Sequence, residues 1–396
     1  MSPAKENSER PVDTGDENAS DEKRRTARRL AAWRSVERTL ARGPHVPTIG
    51  EHWARLTEVA GTVADLSGDV DLYGDGVVAE LEAKVAGLLG KEAAAFFPTG
   101  TMAQQVALRC WAGRTGNSTV ALHPLGHPEV HEREALTTVS GLRTVHPTTE
   151  PRQITAAEVH GLDEPFGTLM LELPLRDAGY VLPTWEELEE VCEAARAREA
   201  VIHFDGARLW ECTTRFGRPL HEIADLADSV YVSFYKSLGG LSGAALAGPQ
   251  SFVDEARAWR HRYGGQVFHQ YPQAIAALAG LEHELPRLPD YVAHARVVAT
   301  ALREGLADAG IPWARVHPEE PHTHQFRVLL PYDAEVLTEA ALTQAEETKV
   351  QLFGRWWPTS QVPGCAVTEV TVAAAGLEWS PDDVRAAVAD FVRRLP

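Results

Sequence analysis

The chain has 396 residues, 44% of them hydrophobic and 24% charged, with a formal net charge of −18. That composition is ordinary for a globular protein with room for two sizeable cores, and the acidic balance argues against nucleic acid or an anionic membrane as a partner. No run of about 18 apolar residues is present, the first residues lack the basic-then-apolar order of an export signal, and the four cysteines (Cys110, Cys192, Cys212, Cys365) form no CxxC pair, so a cytoplasmic chain with reduced thiols and no metal site is expected.

Residues 1–25 are polar and almost free of aliphatics, too poor in apolar surface to offset the entropy of ordering, and are expected to form a disordered tail. Residues 26–75 read as an N-terminal arm; the basic, helix-like stretch 23–34 suits a solvated face or an arm lying on a sister subunit. From Gly76 the pattern becomes α/β. Val77, Val78, Leu81, Val85, Leu88 and Leu89 recur at helical spacing, Gly90 is placed to cap that helix, and 93–97 reads as a strand. Short apolar runs at 120–122, 168–173, 201–204 and 230–234 are of the buried-strand type. Helical stretches such as 185–200 separate several of them, which predicts a mostly parallel sheet covered on both faces. This large domain is expected to span 76–285. The remainder, 286–396, carries a helical stretch at 291–309, a strand at 325–330 and a closing helix at 381–395, the pattern of a smaller α+β domain.

Three segments carry chemistry. Lys236 ends the run Ser229-Val-Tyr-Val-Ser-Phe-Tyr235 and precedes a glycine-rich loop, Ser237-Leu-Gly-Gly-Leu-Ser-Gly243. A lysine removed from water at such a place loses its proton near neutral pH, as a Schiff base with a bound aldehyde requires. Asp205 ends another apolar run about thirty residues earlier, in His203-Phe-Asp-Gly-Ala-Arg208, where its carboxylate would face the ring nitrogen of pyridoxal 5'-phosphate and keep it protonated. Pro98-Thr-Gly-Thr-Met102 lies between a strand and a helix. Glycine there lets the backbone approach a phosphate, and the free N–H groups of the helix start, with the hydroxyls of Thr99 and Thr101, make an anion site. His203 shares a strand face with Asp205 but lies deeper, where a histidine is more often a satisfied core residue.

These segments, together with Asp71-Leu-Tyr73-Gly74-Asp75, Gly90-Lys-Glu-Ala-Ala-Ala-Phe-Phe-Pro-Thr-Gly-Thr101, Gly-His127-Pro-Glu, Val181-Leu-Pro183, Trp259-Arg260 and Gly264-Gly265, resemble the threonine aldolase and β-eliminating lyase family of fold-type-I pyridoxal phosphate enzymes. The resemblance covers roughly 71–285. It implies a fold-type-I, transferase-like α/β architecture, a small-molecule amino-acid substrate, and a homodimer or homotetramer with shared active sites. Position by position, it implies that Lys236 forms the Schiff base, Asp205 pairs with the ring nitrogen, and His127 stacks on the ring. Arg208 would sit beside the cofactor, Thr99, Gly100, Thr101 and Met102 would hold the phosphate, and Tyr73 would lie on the substrate side.

The chain also departs from the family pattern. The Arg-Ser-Asp-Thr stretch has no counterpart, and the Glu-Asn-Thr-His-Asn segment is replaced by Leu171-Glu-Leu-Pro-Leu-Arg-Asp-Ala-Gly179. The small-domain arginine that binds substrate carboxylate aligns with Glu369, and the arginine after the glycine pair aligns with Phe268. Arg176, Arg355 and Arg327 could take over, because a guanidinium binds a carboxylate through two parallel hydrogen bonds; Arg176 and Arg355 are preferred. His127 and His131 are candidate acid/base groups, with Glu132 nearby. The leading expectation is a lyase that cleaves Cα–Cβ of a β-hydroxy-α-amino acid to glycine and an aldehyde. Beside it stand β-elimination, decarboxylation or racemisation of an unusual amino acid, and a non-catalytic scaffold of the same fold.

Overall fold

Seven strands form the central sheet: β1 Ala93–Phe97, β2 Thr119–Ala121, β3 Arg143–Val145, β4 Thr168–Glu172, β5 Val201–Gly206, β6 Ser229–Ser233 and β7 Ala244–Gly248. They are seen in a computed structural model that describes residues 14–41, 47–359 and 363–396, with side chains from Glu22 onward. The spatial order is β1-β7-β6-β5-β4-β2-β3. Strands β2 to β6 pair in parallel, and β7 runs antiparallel to both β6 and β1. The strands of the middle of the sheet are buried along almost their whole length, as expected where helices cover both faces.

Register places the chemistry. Glu172 is opposite Asp205 across β4 and β5, and Asp205 is opposite Tyr231 across β5 and β6. Paired residues point to the same face, so three polar side chains form one row near the carboxyl ends of the parallel strands. That edge is where open α/β sheets bind ligands.

A second sheet lies in the small domain, with β8 Arg315–His317, β9 Gln325–Leu330, β10 Trp357–Pro358 and β11 Ala366–Thr371 in the antiparallel order β10-β11-β9-β8. The helix Leu288–Asp308 belongs to the two largest apolar cores: Leu288 and Tyr291 pack in that of the large domain, Ala295, Val298, Leu302 and Leu306 in that of the small one. The boundary expected at 285/286 therefore falls beside a helix that crosses the seam.

Two expectations need correction. Strands β3 and β7 were not foreseen; β7 reads Ala-Ala-Leu-Ala-Gly, a composition with little strand preference of its own, and it forms because it is clamped between β1 and β6. The supposed tail is helical from Thr14, in a helix Thr14–Arg34, while residues 1–13 lie outside the described residues. Arg28 of that helix donates to Glu339 and Glu346 at 2.8–2.9 Å, so the basic segment lies on the helix Ala334–Thr348 of its own small domain. Among the described residues no helix is long and apolar enough to cross a membrane.

Candidate active site

A cleft of about 320 Å³ opens at the carboxyl edge of the sheet, lined among others by Thr99, Gly100, Thr101, Gln104, His127, Glu132, Asp205, Tyr231, Tyr235, Lys236 and Ser242. Lys236 reaches it because β6 ends at Ser233 and the chain turns, with the Gly240 N–H donating to the Phe234 carbonyl at 2.8 Å. Gly243 closes the loop at φ +95, with a Cβ there overlapping the Phe96 ring; only glycine combines that backbone with that approach.

The floor is electrostatically displaced from water. Burial, with Arg208 nearby, pushes the Lys236 amine down to about 8, against the pull of Asp205 and Glu172. Burial pushes Asp205 up, while Lys236 and His127 hold it down. Glu172 is pushed up to about 7, by burial and then by the adjacent Asp205 charge, although its oxygens accept from the backbone N–H of His127 (2.8 Å) and Arg176 (3.1 Å). Two carboxylates side by side in a dry place hold a proton that neither would hold alone in water.

Arg208 lies beside them, close enough to act on the Lys236 amine. Its guanidinium lies over the Tyr180 ring at 5.2 Å, and its Nε is buried without a hydrogen-bond partner. Among the described residues no carboxylate is at ion-pair distance from it, so this cation is open to an anionic ligand.

At the other end of the cleft the helix Gly100–Thr115 begins, so Gly100, Thr101 and Met102 form its first turn. Thr99 accepts from the Met102 N–H at 3.3 Å, leaving the first N–H groups directed at the cleft as an anion site. A Cβ on Gly100 would overlap the Tyr231 hydroxyl, so the backbone comes within touching distance of the sheet there. His127 Nδ1 lies 3.2 Å from Glu132 Oε1, and Gln105 Nε2 donates to the other Glu132 oxygen. Burial opposes charge on the imidazole, but the bond to Glu132 and the Asp205 charge outweigh it and raise its pKa.

Of the residues expected from sequence, Thr99, Gly100, Thr101, His127, Asp205 and Lys236 line the cleft, with Met102 in the turn beneath and Arg208 beside them. His131 sits 2.6 Å from Asp177 through Nε2, its ring 5.2 Å from His127. Arg176 is engaged: Nη2 donates to Glu369 at 2.9 Å, and Arg327 joins both Glu369 (3.2 Å) and Asp177 (2.8 Å). Arg355 is exposed at the edge of the small sheet, where Thr368 Oγ1 donates to its carbonyl, and it does not line the cleft. Tyr73 is also exposed, at φ +57 and edge-on to Phe268. Its neighbour Asp71 is fully buried and accepts from the N–H groups of Gln270 and Tyr271, capping the helix Tyr271–His283. His203 is a satisfied core residue, bonded to Gln104 and Ser229 at 2.8 Å each. Glu172, Gln104 and Tyr231 were missed. A carboxylate ending an apolar strand is the signal that marked Asp205, and Glu172 carries the same one.

A lysine amine and a carboxylate on one buried floor, an unneutralised guanidinium beside them and a helix start across the cleft fit one group: an aromatic aldehyde with a basic ring nitrogen and a phosphate arm. Fold and site together define a pyridoxal-phosphate-dependent enzyme of fold type I, a carbon–carbon lyase by its relatives. The sequence profile of the β-eliminating lyase family matches residues 60–349. The low-specificity L-threonine aldolase 1 of Arabidopsis thaliana is 32% identical over 61% of this chain and 69% of its own. A candidate L-allo-threonine aldolase of Listeria monocytogenes superposes with a TM-score of 0.84 at 34% identity, over 93% of this chain and 99% of its own. A candidate aromatic amino acid β-eliminating lyase/threonine aldolase of Exiguobacterium gives 0.83 at 34% identity, over 93% and 100%. The chain belongs to the β-eliminating lyase family, in the company of threonine aldolases.

Proposed function

We propose that the protein cleaves the Cα–Cβ bond of a β-hydroxy-α-amino acid to give glycine and an aldehyde. The observation that carries this reading is the joint placement of Lys236, Asp205 and Arg208: a cation that sheds its proton readily, an acid held beside it, and a second cation open to a carboxylate. When bound, pyridoxal phosphate supplies the sink for the electron pair left at Cα. Lys236 anchors it through its uncharged amine. Asp205 holds a proton at the ring nitrogen, and Glu172, pushed up to about 7, keeps the charge of the carboxylate pair near that of a single anion. The first turn at Gly100–Met102 takes the phosphate. Arg208 binds the substrate carboxylate, with Arg176 beside it, and so sets which Cα bond stands across the ring. His127, steadied by Glu132, faces the cleft and would take the β-hydroxyl proton as the aldehyde departs, and the same imidazole could then return that proton to Cα to give glycine.

The assembly is proposed to be a homodimer or a pair of dimers. Val70, Leu72, Tyr73, Phe268 and Tyr271 leave an apolar surface around the Asp71 cap, each between 38% and 53% exposed, larger than isolated surface apolar residues need. Incubating the holoenzyme with a panel of β-hydroxy amino acids and assaying glycine and aldehyde tests the reaction. Absence of both products with every member refutes it; light scattering reads the assembly.

A further inference from the structure

Behind the cleft, outside the groups used so far, lies a buried contact between a carboxyl group and an imidazole. Glu211 is completely buried and His324 is 2% exposed. His324 Nε2 lies 2.9 Å from Glu211 Oε2, at ion-pair distance but off the line of a hydrogen bond. The other Glu211 oxygen accepts from the Ser237 hydroxyl at 2.8 Å. His324 Nδ1 is 2.7 Å from the Val372 carbonyl, which can only accept, so that nitrogen carries a proton. Each partner is anchored to functional chain. Ser237 follows Lys236 directly. Glu211 ends the short turn whose backbone N–H donates to Arg208 O at 3.2 Å. His324 precedes β9, which carries Arg327, and Val372 follows β11, which carries Glu369. Glu211 belongs to the large domain and His324 to the small one.

Burying two opposite charges costs desolvation that their attraction often fails to recover, and an apolar pair of similar volume is commonly as stable or more so. Stability alone is therefore a weak reason for this pair, and its anchors point elsewhere. We propose that Glu211 and His324 are positioning residues: a carboxylate–imidazolium tie across the domain seam that holds the Lys236 loop and the Arg208 turn in register with the small-domain strands bearing Arg327 and Glu369. The reaction they position rests on the aldolase reading; the tie itself does not.

The test compares holoenzyme, Glu211→Gln and the apolar double variant Glu211→Leu/His324→Phe. Three quantities are read: thermal midpoint, the visible absorption of bound pyridoxal phosphate, and kcat and KM for glycine release. The imidazole 15N signals of His324 are recorded in wild type and Glu211→Gln. The expected result is a doubly protonated His324 in wild type, lost in Glu211→Gln. The double variant should melt at or above the wild-type temperature, yet show a displaced cofactor band and a kcat lower by about tenfold or more, the scale of a sub-ångström misplacement. A double variant with wild-type kcat and an unmoved band overturns the proposal, as does a neutral His324 in wild type. Should the double variant not fold, Glu211→Gln carries the same band and kcat comparison. If wild type releases no glycine from any substrate, the aldolase reading fails, while the band and the imidazole signals still decide the tie.

Discussion

The floor of the cleft and its rim handle charge in opposite ways. On the floor, Lys236, Asp205 and Glu172 are packed where water is excluded, and each is displaced from its ordinary titration toward neutrality. On the rim, Arg176 and Arg327 are matched against Glu369 and Asp177 at 2.8–3.2 Å, and both carboxylates are held below their usual range despite burial. The floor thus retains groups ready to change protonation, whereas the rim is already neutralised. Arg208 is the exception between them, a cation with no carboxylate at ion-pair distance among the described residues.

Lys236→Ala should break the floor most completely, lowering turnover by on the order of a thousand-fold or more, as loss of a nucleophile does elsewhere; steady-state glycine release measures it. Asp205→Asn should follow, with kcat lower by on the order of a hundred-fold through loss of a preorganised charge, and cofactor still bound on the absorption spectrum. Arg208→Ala should act chiefly on KM, raising it by about ten- to a hundred-fold for loss of a charged hydrogen-bond pair. Because Arg208 lowers the Lys236 pKa, the same variant should shift the pH midpoint of Lys236 modification in the apoprotein upward from about 8. Glu369→Gln probes the rim, freeing Arg176 and Arg327 from one of their anions. A change in KM of a few fold, on the scale of a partly exposed pair, is expected, and a hundred-fold effect would show that the rim is not a neutral support. The smallest effect concerns stability. Glu172 titrates higher folded than unfolded, so the apoprotein should lose stability as pH rises from about 4.5 through about 7, and Glu172→Gln should flatten that slope in urea titrations.

The same contrast explains what could be read from sequence. The floor is built by strands that end in a polar residue, and local patterns such as Phe-Asp-Gly or Tyr-Lys-Ser announce it along the chain. The rim depends on pairings between residues far apart: Arg176 with Glu369 across 193 positions, Arg327 with Asp177 across 150. Nothing local distinguishes Arg176, which meets Glu369, from Arg355, which remains exposed at a sheet edge. Within the Asp71–Asp75 stretch it is Asp71 that is buried, while Tyr73 is exposed. Strand β7 escaped because alanine and glycine favour no strand by themselves, and the helix at Thr14 because its apolar content is low.

The helix Leu288–Asp308 contributes Leu288 and Tyr291 to one core and Ala295 to Leu306 to the other. Neither unit can lose its packing without exposing part of a rod that the other still needs, so the two halves should share a single calorimetric transition. A fragment ending near 285 would lack its last layer, and one beginning there would carry an uncovered apolar stripe; circular permutation or truncation at that seam should give aggregates, not two independent modules.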